Sequence, residues 1–482
     1  MAAVSSLGIG SGLDLNTLLT GLKTAEQVPL TAIQTQQTSY TTKLTAYGQL
    51  SSALGTLQTA AAALAKPALF QGVKASSTAT DVLTATAAST ASSGTYALNV
   101  TQLSQAQSLA TTGVATTASA IGGGTVTIQF GTISGATPDP VTGKYTGATF
   151  TAGATTATPI TIDASSTLAD IRDAINGSAT SGVTASIVND GSATPNRLVL
   201  TSTQTGEASS MKITVAGDTA LSSLLANNPA GLPAAQLQQT AAAQNTQLTV
   251  NGIAITSATN SVVGAVQDVT MTVAKLGTST LSVQKDTASV QSAVNTFVNA
   301  YNSLQSIAKQ LTAFDASSKS GAVLMGDSTL RNIQVGIRSA LTAAQTDDGS
   351  GLTMLSQVGV SFQKDGTLAI DSTKLTAALS SKLSGVANLF SGGASGYGTK
   401  MSALITGYTD SNGGALTAAT KGINKTLDSL AKQYTATSAR VEATVARYKA
   451  RFTQLDVMIS SMNQTSTYLT QQFDALNNTT NK

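Results

Sequence analysis

The chain has no cysteine, no histidine and no tryptophan in its 482 residues. Without cysteine there is no disulfide, no thiol nucleophile and no thiolate metal ligand. Without histidine the commonest general base and the usual nitrogen ligand for zinc are missing as well. Charge is scarce: Asp, Glu, Lys and Arg make up 10% of the residues, and the net charge is +3. That balance implies no broad basic surface for nucleic acid, and an aromatic fraction of 4% offers no base-stacking platform. No apolar run approaches the ~18 residues of a membrane span. Met1–Gly12 has no basic leader, no continuous apolar stretch and no signal-peptidase context. The expectation is a chain without a membrane span that is cytosolic, or exported by a route needing no cleaved signal.

What the chain does have is an apolar seam at its C-terminal end. From Val441, in alternating steps of four and three, come Val445, Tyr448, Phe452, Leu455, Ile459, Met462, Ser466, Leu469, Phe473 and Leu476. All but Ser466 are apolar or aromatic, and a 3.5-residue period is the mark of a helix that lies along another helix. Burial of such a stripe falls well short of the entropy lost on ordering so long a helix, so this tail requires a partner in order to fold.

The N-terminal end is helical too. Leu13, Leu15, Leu18, Leu19 and Leu22 crowd an early segment with Asp14 or Asn16 as its cap. Pro29 fits the first turn of a second helix, carried by Leu30, Ile33, Tyr40, Leu44, Tyr47, Leu50, Leu54, Leu57, Ala61 and Leu64 and ended by Pro67. From about Gly72 to Asp286 the apolar period becomes two: Tyr96, Leu98 and Val100; Val126, Ile128 and Phe130; Val269, Met271 and Val273. Leu248 and Val250, then Asn251-Gly252, then Ile253 and Ile255 predict a hairpin with a type I′ turn. A single helix interrupts the strands at Thr167–Asn176, opened by a Thr167/Asp170 capping box, with strands at Val183–Val188 and Leu198–Leu200 after it. Ala220–Ala243 reads as a linker or a short helix with loops. Helix resumes after Asp286 with Val290, Val294, Phe297, Tyr301, Leu304, Ala308 and Leu311. A second hairpin follows at Val360–Ile370 around Asp365-Gly366, then helical patterns over Leu375–Phe390, and a last helix from about Leu416. The fold class is therefore α+β and multidomain: N- and C-terminal helices pair as a coiled coil or helical bundle and enclose a β-rich insert of one or two domains.

Candidate chemical sites are few. Gly8, Gly10 and Gly12 lack the preceding strand and the G-x-G-x-x-G spacing of a nucleotide loop, and read as a flexible lead-in to the first helix. Asp347-Asp348 lies beside Gly349 and Gly351 in a loop, and Asp170 and Asp173 stand in the first turns of a helix, where acids favour the dipole. No loop collects enough oxygen ligands for calcium. Arg440, Arg447, Lys449 and Arg451, opposed only by Glu442, form a basic patch that reads as a solvated helix face or a contact to acidic surfaces in an assembly. No nucleophile–base constellation exists, which argues against an enzyme; no catalytic residue, metal or cofactor is expected.

The run Ser5-Ser6-Leu7-Gly8-Ile9-Gly10-Ser11-Gly12-Leu13-Asp14 resembles the N-terminal signature of the flagellar filament cap, or hook-associated protein 2, family. Tyr448–Leu476, with Phe452-x-x-Leu455-Asp456 and Ile459-Ser460-x-Met462-Asn463-x-Thr465-Ser466-x-Tyr468-Leu469, resembles its other end. Phe70–Ala75, Gly326–Thr329 with Arg331, and Asp365–Leu368 are similar too, and 168–203 resembles a repeat shared by flagellin and hook-type proteins.

The resemblance implies a terminal leg domain from 1–40 with 441–482, and a helical domain with a small hairpin from 41–71 with 286–440. It further implies a β-rich domain from 72–105 with 243–285, and an outer β-rich domain from 106–242 holding the repeat at 165–216. It implies a secreted, non-enzymatic homo-oligomer of about five copies at the distal filament tip, which promotes flagellin polymerisation and prevents flagellin leakage. Its partners are then flagellin, the hook-associated junction proteins, a cytosolic export chaperone on the C-terminal helix and the flagellar type III export apparatus. The residues expected to bind filament and sister subunits are Leu7, Ile9, Leu13, Leu15, Leu18, Leu19, Tyr448, Phe452, Leu455, Ile459, Met462, Tyr468, Leu469, Phe473 and Leu476. Two alternatives stand beside this reading. One is a surface adhesin whose Ser/Thr-rich β domains bind host mucin or glycans. The other is a hook–filament junction protein, against which the Leu7–Asp14 run argues.

Overall fold

The computed structural model describes residues 12–154, 158–317 and 319–479. They divide into two compact units, one formed by the chain ends up to Phe70 and from Thr287 onward, the other by Gln71–Asp286. The nested layout read from the periodicities is the one found, helices at both ends and strands between.

The first unit is built on one long helix, Leu15–Leu64. Asp14 starts it: its carboxylate accepts from the Thr17 N–H at 3.0 Å and from the Thr17 hydroxyl at 2.6 Å. One sequence expectation is corrected here. Pro29 opens no second helix; it lies inside the first, on the exposed side, where the only loss is one backbone hydrogen bond and where packing on either flank keeps the helix continuous. The helix stops at Leu64, ahead of Pro67 as expected, and Pro67 begins a short helix, Pro67–Gln71, where a fixed φ is suited to the first turn.

Tyr47, Leu50, Leu54, Leu57, Ala61 and Leu64 are buried and form a stripe that packs on the helices Thr287–Thr312 and Tyr397–Thr409. The Thr287–Thr312 helix contributes Val290, Val294, Phe297, Tyr301, Leu304 and Ala308, all buried as their spacing predicts. The approach of Tyr397–Thr409 depends on Gly398, because a Cβ there would lie 2.8 Å from Ala61 O. The helical pattern at Leu375–Phe390 is two helices, Ser372–Ser381 and Leu383–Ser391, broken at Lys382. The small hairpin pairs Val360–Phe362 with Leu368–Ile370, and Asn302 clamps it: its Nδ2 donates to Leu368 O at 2.8 Å, and Leu368 N–H donates to its Oδ1 at 2.7 Å.

Asp327 ties this core together. Its side chain is 7% exposed. It caps the helix Ser328–Thr342 through the Leu330 N–H at 3.0 Å, accepts from the Tyr47 hydroxyl at 2.7 Å, and pairs with Lys43 Nζ at 2.9 Å. Burial alone would raise the Asp327 carboxyl, but Tyr47, the Leu330 amide and Lys43 outweigh it and hold it below the ordinary 3.8. Burial, then the hydrogen bond to Asp327, pushes Tyr47 up to about 12.

The second unit holds two apolar cores. One lies between a five-stranded antiparallel sheet, in the order Val73–Ser77, Gly277–Lys285, Gly94–Gln102, Thr246–Val250, Ile253–Ser257, and a three-stranded sheet of Ser261–Val266, Val269–Val273 and Leu83–Ala87. Asn251 at φ 51 and Gly252 at φ 83 make the expected turn. The Asn251 side chain also accepts from Ala97 N–H at 2.8 Å, which docks the hairpin on the neighbouring strand.

The other core involves two four-stranded sheets. Gly124–Ser134 pairs with Ser210–Gly217, Thr149–Ala152 and Thr158–Ile162; Asn196–Ser202 lies between Ser108–Ala110 and Val183–Asn189, with Gln238–Ala241 at the edge. The helix Leu168–Gly177 has the predicted Thr167/Asp170 capping box and buries Leu168, Ile171 and Ile175. The stretch read as a linker or a short helix with loops carries the short helix Thr219–Leu225 and, unforeseen, the edge strand Gln238–Ala241.

Asp327→Ala removes a helix cap and leaves Tyr47 and Lys43 without their acceptor, and it is expected to cost about 2–4 kcal/mol in denaturant unfolding of the helical unit. The folded carboxyl lies below its unfolded value, so its contribution is complete above about pH 4 and is lost as pH falls through the lower folded value. That of Tyr47 is complete below about pH 10 and is lost as pH rises towards 12. Loss of the acid-side dependence in Asp327→Asn, with the alkaline one weakened but still present because burial also raises Tyr47, checks the assignment.

Candidate assembly surface on the terminal helices

The C-terminal helix runs Ala415–Thr479 and packs against the N-terminal helix. Two contacts fix an antiparallel register. Gln34 Nε2 donates to the Tyr434 hydroxyl at 3.2 Å, and the Tyr448 hydroxyl donates to Glu26 at 3.5 Å. Leu30 and Val441 are buried within this stretch. Carried on to Leu15, where the N-terminal helix starts, the register reaches roughly residues 453–459 of its partner. Beyond that level the C-terminal helix continues for ~30 Å with no partner helix among the described residues.

Exposure follows this geometry. Leu15 is buried and Leu19 half-buried, while Leu13 and Leu18 are exposed. On the C-terminal helix Tyr448, Phe452 and Ile459 are half-buried, and Leu455 is 37% exposed. From Ser461 to Leu476 every residue is exposed, including Met462, Tyr468, Leu469, Phe473 and Leu476. Leu7 and Ile9 lie outside the described residues. The structure thus divides the predicted seam into a paired part and an exposed part. Sequence reasoning did not single out Val457 and Met458, which are 65% and 59% exposed and lie where the pairing ends; they fall off the 3.5-residue stripe, so periodicity alone does not mark them.

The exposed part is also poor in charge: no Asp, Glu, Lys or Arg stands between Asp456 and Asp474. The basic side chains Arg440, Arg447, Lys449 and Arg451 are all exposed on the paired part, with Arg447 donating to Thr444 Oγ1 at 3.0 Å. The acid pairs serve local structure. Asp347 accepts from the Gly349 and Gly351 N–H groups, and Asp348 is held at about 2 by the Ser350 hydroxyl and the Asn388 amide, too low for proton transfer near neutrality. Thr167 lowers Asp170, and the adjacent Arg172 lowers Asp173. Among the described residues no group of three or more acids could hold a metal ion, and no helix is long and apolar enough to cross a membrane.

Paired helical ends with a charge-poor, exposed apolar extension, and a β-rich insert between them in the sequence, belong to an assembling structural protein. Sequence profiles specify the assembly: "Flagellar hook-associated protein 2 C-terminus" matches residues 243–464, "Flagellar hook-associated protein 2 N-terminus" matches 11–107, and "Flagellin hook IN motif" matches 149–204. The chain is 41% identical to the flagellar hook-associated protein 2 of Escherichia coli K12, over the full length of both. It is also 41% identical to that of Salmonella typhimurium, over 99% of this chain and all of the relative. The crystal structure of the flagellar cap protein FliD D1-D2-D3 domains from Escherichia coli matches 79% of this chain and 99% of its own, with a TM-score of 0.60 at 36% identity. The chain belongs to the flagellar hook-associated protein 2 family, and this membership favours neither the adhesin nor the junction reading.

In the isolated protein, hydrogen–deuterium exchange is expected to be at least ~10-fold faster over 461–474 than over 430–452, because the first stretch is exposed and the second packs against the N-terminal helix. Equal protection of the two stretches would contradict the register given above.

Proposed function

We propose that this protein is a non-enzymatic cap at the distal tip of the flagellar filament, a secreted homo-oligomer of about five copies that promotes flagellin polymerisation and prevents flagellin leakage. The observation that carries the reading is the C-terminal helix extending past its partner with Met462, Tyr468, Leu469 and Phe473 exposed. Each such side chain gains ~1.5–3 kcal/mol when another subunit covers it. The filament and sister-subunit contacts are Leu7, Ile9, Leu13, Leu15, Leu18, Leu19, Tyr448, Phe452, Leu455, Ile459, Met462, Tyr468, Leu469, Phe473 and Leu476. Some of these stabilise the leg by intrachain pairing, and the rest meet neighbours. Since Val457–Phe473 has no charges to fix one pairing, it tolerates small shifts of register, which suits a cap that moves as subunits add.

The working division is a leg from 1–40 with 441–482, a helical domain from 41–71 with 286–440, a β domain from 72–105 with 243–285, and an outer β domain from 106–242. Before assembly, an export chaperone covers the C-terminal helix and the type III apparatus passes the chain to the outside, where junction proteins and flagellin receive it. A helix that needs a partner suits passage as an unfolded chain.

Truncation after Asp456 is expected to leave the β-rich unit folded by circular dichroism, abolish capping and release unpolymerised flagellin into the medium. Phe473→Ala in the full chain is expected to weaken tip binding roughly 10- to 100-fold. Filaments of normal length and number from the truncated chain would overturn the proposal.

A further inference from the structure

The two cores of the Gln71–Asp286 unit are joined by two crossing segments, 103–107 leading outward and 242–245 returning. Gln105 and Gln244 bridge them backbone to backbone, with N–H···O distances of 2.9 and 3.1 Å, and Gln244 Nε2 donates to Gln105 Oε1 at 3.1 Å. The root of this tether is a polar knot. The hydroxyl of the fully buried Thr246 donates to Asn260 Oδ1 at 2.7 Å; Ser104 N–H donates to both of those oxygens, at 3.0 and 2.9 Å; and Asn260 Nδ2 donates to Ser104 O at 3.3 Å.

A third connection comes from a separate part of the chain, the loop after strand Asn196–Ser202. The Thr205 hydroxyl donates to Ala258 O at 2.7 Å, Gly206 N–H to Gln105 O at 3.2 Å, and Glu207 N–H to Asn245 Oδ1 at 3.0 Å. Gly206 has φ +94°, and a Cβ there would lie 2.8 Å from the Cβ of Ala258, so this backbone rests directly on the turn between the inner strands Ile253–Ser257 and Ser261–Val266. Only glycine permits both the conformation and the contact.

Two adjacent strands joining two bodies act as a hinge, and relative motion is then the ordinary expectation. The contacts of Thr205 and Gly206 with Ala258 lie away from the tether and remove that freedom. We propose that the Thr205–Glu207 loop is a strut that converts the tether into a rigid joint, so that the two β bodies move as one and a load on the outer body passes to the inner one. Thr205 and Gly206 are the positioning residues of this joint.

The absence of native cysteine allows clean labelling of the full chain at Thr86→Cys and Ala193→Cys, exposed positions on the inner and outer bodies. Distances between spin labels at these sites are expected to form one narrow distribution. Gly206→Val, and separately Thr205→Val, are expected to widen it about twofold, while circular dichroism shows both variants still folded. If Gly206→Val does not fold, Thr205→Val decides, because it removes a single hydroxyl and leaves the glycine in place. A broad distribution in the labelled parent, or an unchanged width in the folded variants, would overturn the proposal.

Discussion

Everything in the helical unit depends on the N-terminal helix finding partners from the far end of the chain. Its C-terminal half packs on Thr287–Thr312 and Tyr397–Thr409, and its N-terminal half is paired by Ala415–Thr479. Contacts so distant in sequence carry a large loop-closure cost, and the stripe Tyr47–Leu64 cannot be buried until the second half of the chain exists. The β-rich insert, whose cores draw only on Gln71–Asp286, carries no such dependence. One polypeptide thus combines a self-contained unit with one that is completed only when its two ends meet.

The composition makes this dependence sharper. Thr20, Thr24, Thr31, Thr35, Thr38, Thr42 and Thr45 all turn their hydroxyls back to the carbonyl four residues earlier. β-Branched, back-bonding residues are poor helix formers, and such a helix persists through packing more than through intrinsic propensity. Scarcity of charge adds to this. Between Asp456 and Asp474 the exposed extension has no ion pair with which to select a register or repel a neighbour, so apolar burial dominates its docking and salt is expected to have little effect on it.

Much of this was legible in the sequence because the residues involved act locally. The Thr167/Asp170 capping box, the Asn251-Gly252 turn and the Val290–Ala308 stripe each announce an element through neighbours a few positions apart. The exposed part of the seam was visible as a stripe, but the sequence could not say where pairing ends, because that follows from the start of a helix more than 400 residues away. Pro29 misled because a proline suited to a first turn is tolerated inside a long packed helix. The Tyr397–Thr409 helix was missed although Tyr397, Met401 and Ile405 mark its buried stripe; the glycines at 396, 398 and 407 around it read as loop punctuation. The Asp327 knot was seen only as part of a family motif; its role appears once Lys43 and Tyr47 are brought to it in space.

The central claim is that the exposed end of the C-terminal helix is covered by the filament in the assembled flagellum. The chain has no cysteine, so a photo-crosslinker attached at Leu469→Cys reports a single position. On intact flagella, irradiation is expected to give adducts with flagellin at the tip, and none after the cap is detached. Adducts confined to the cap's own N-terminal helix, or a probe that remains open to solvent on the assembled filament, would contradict the claim.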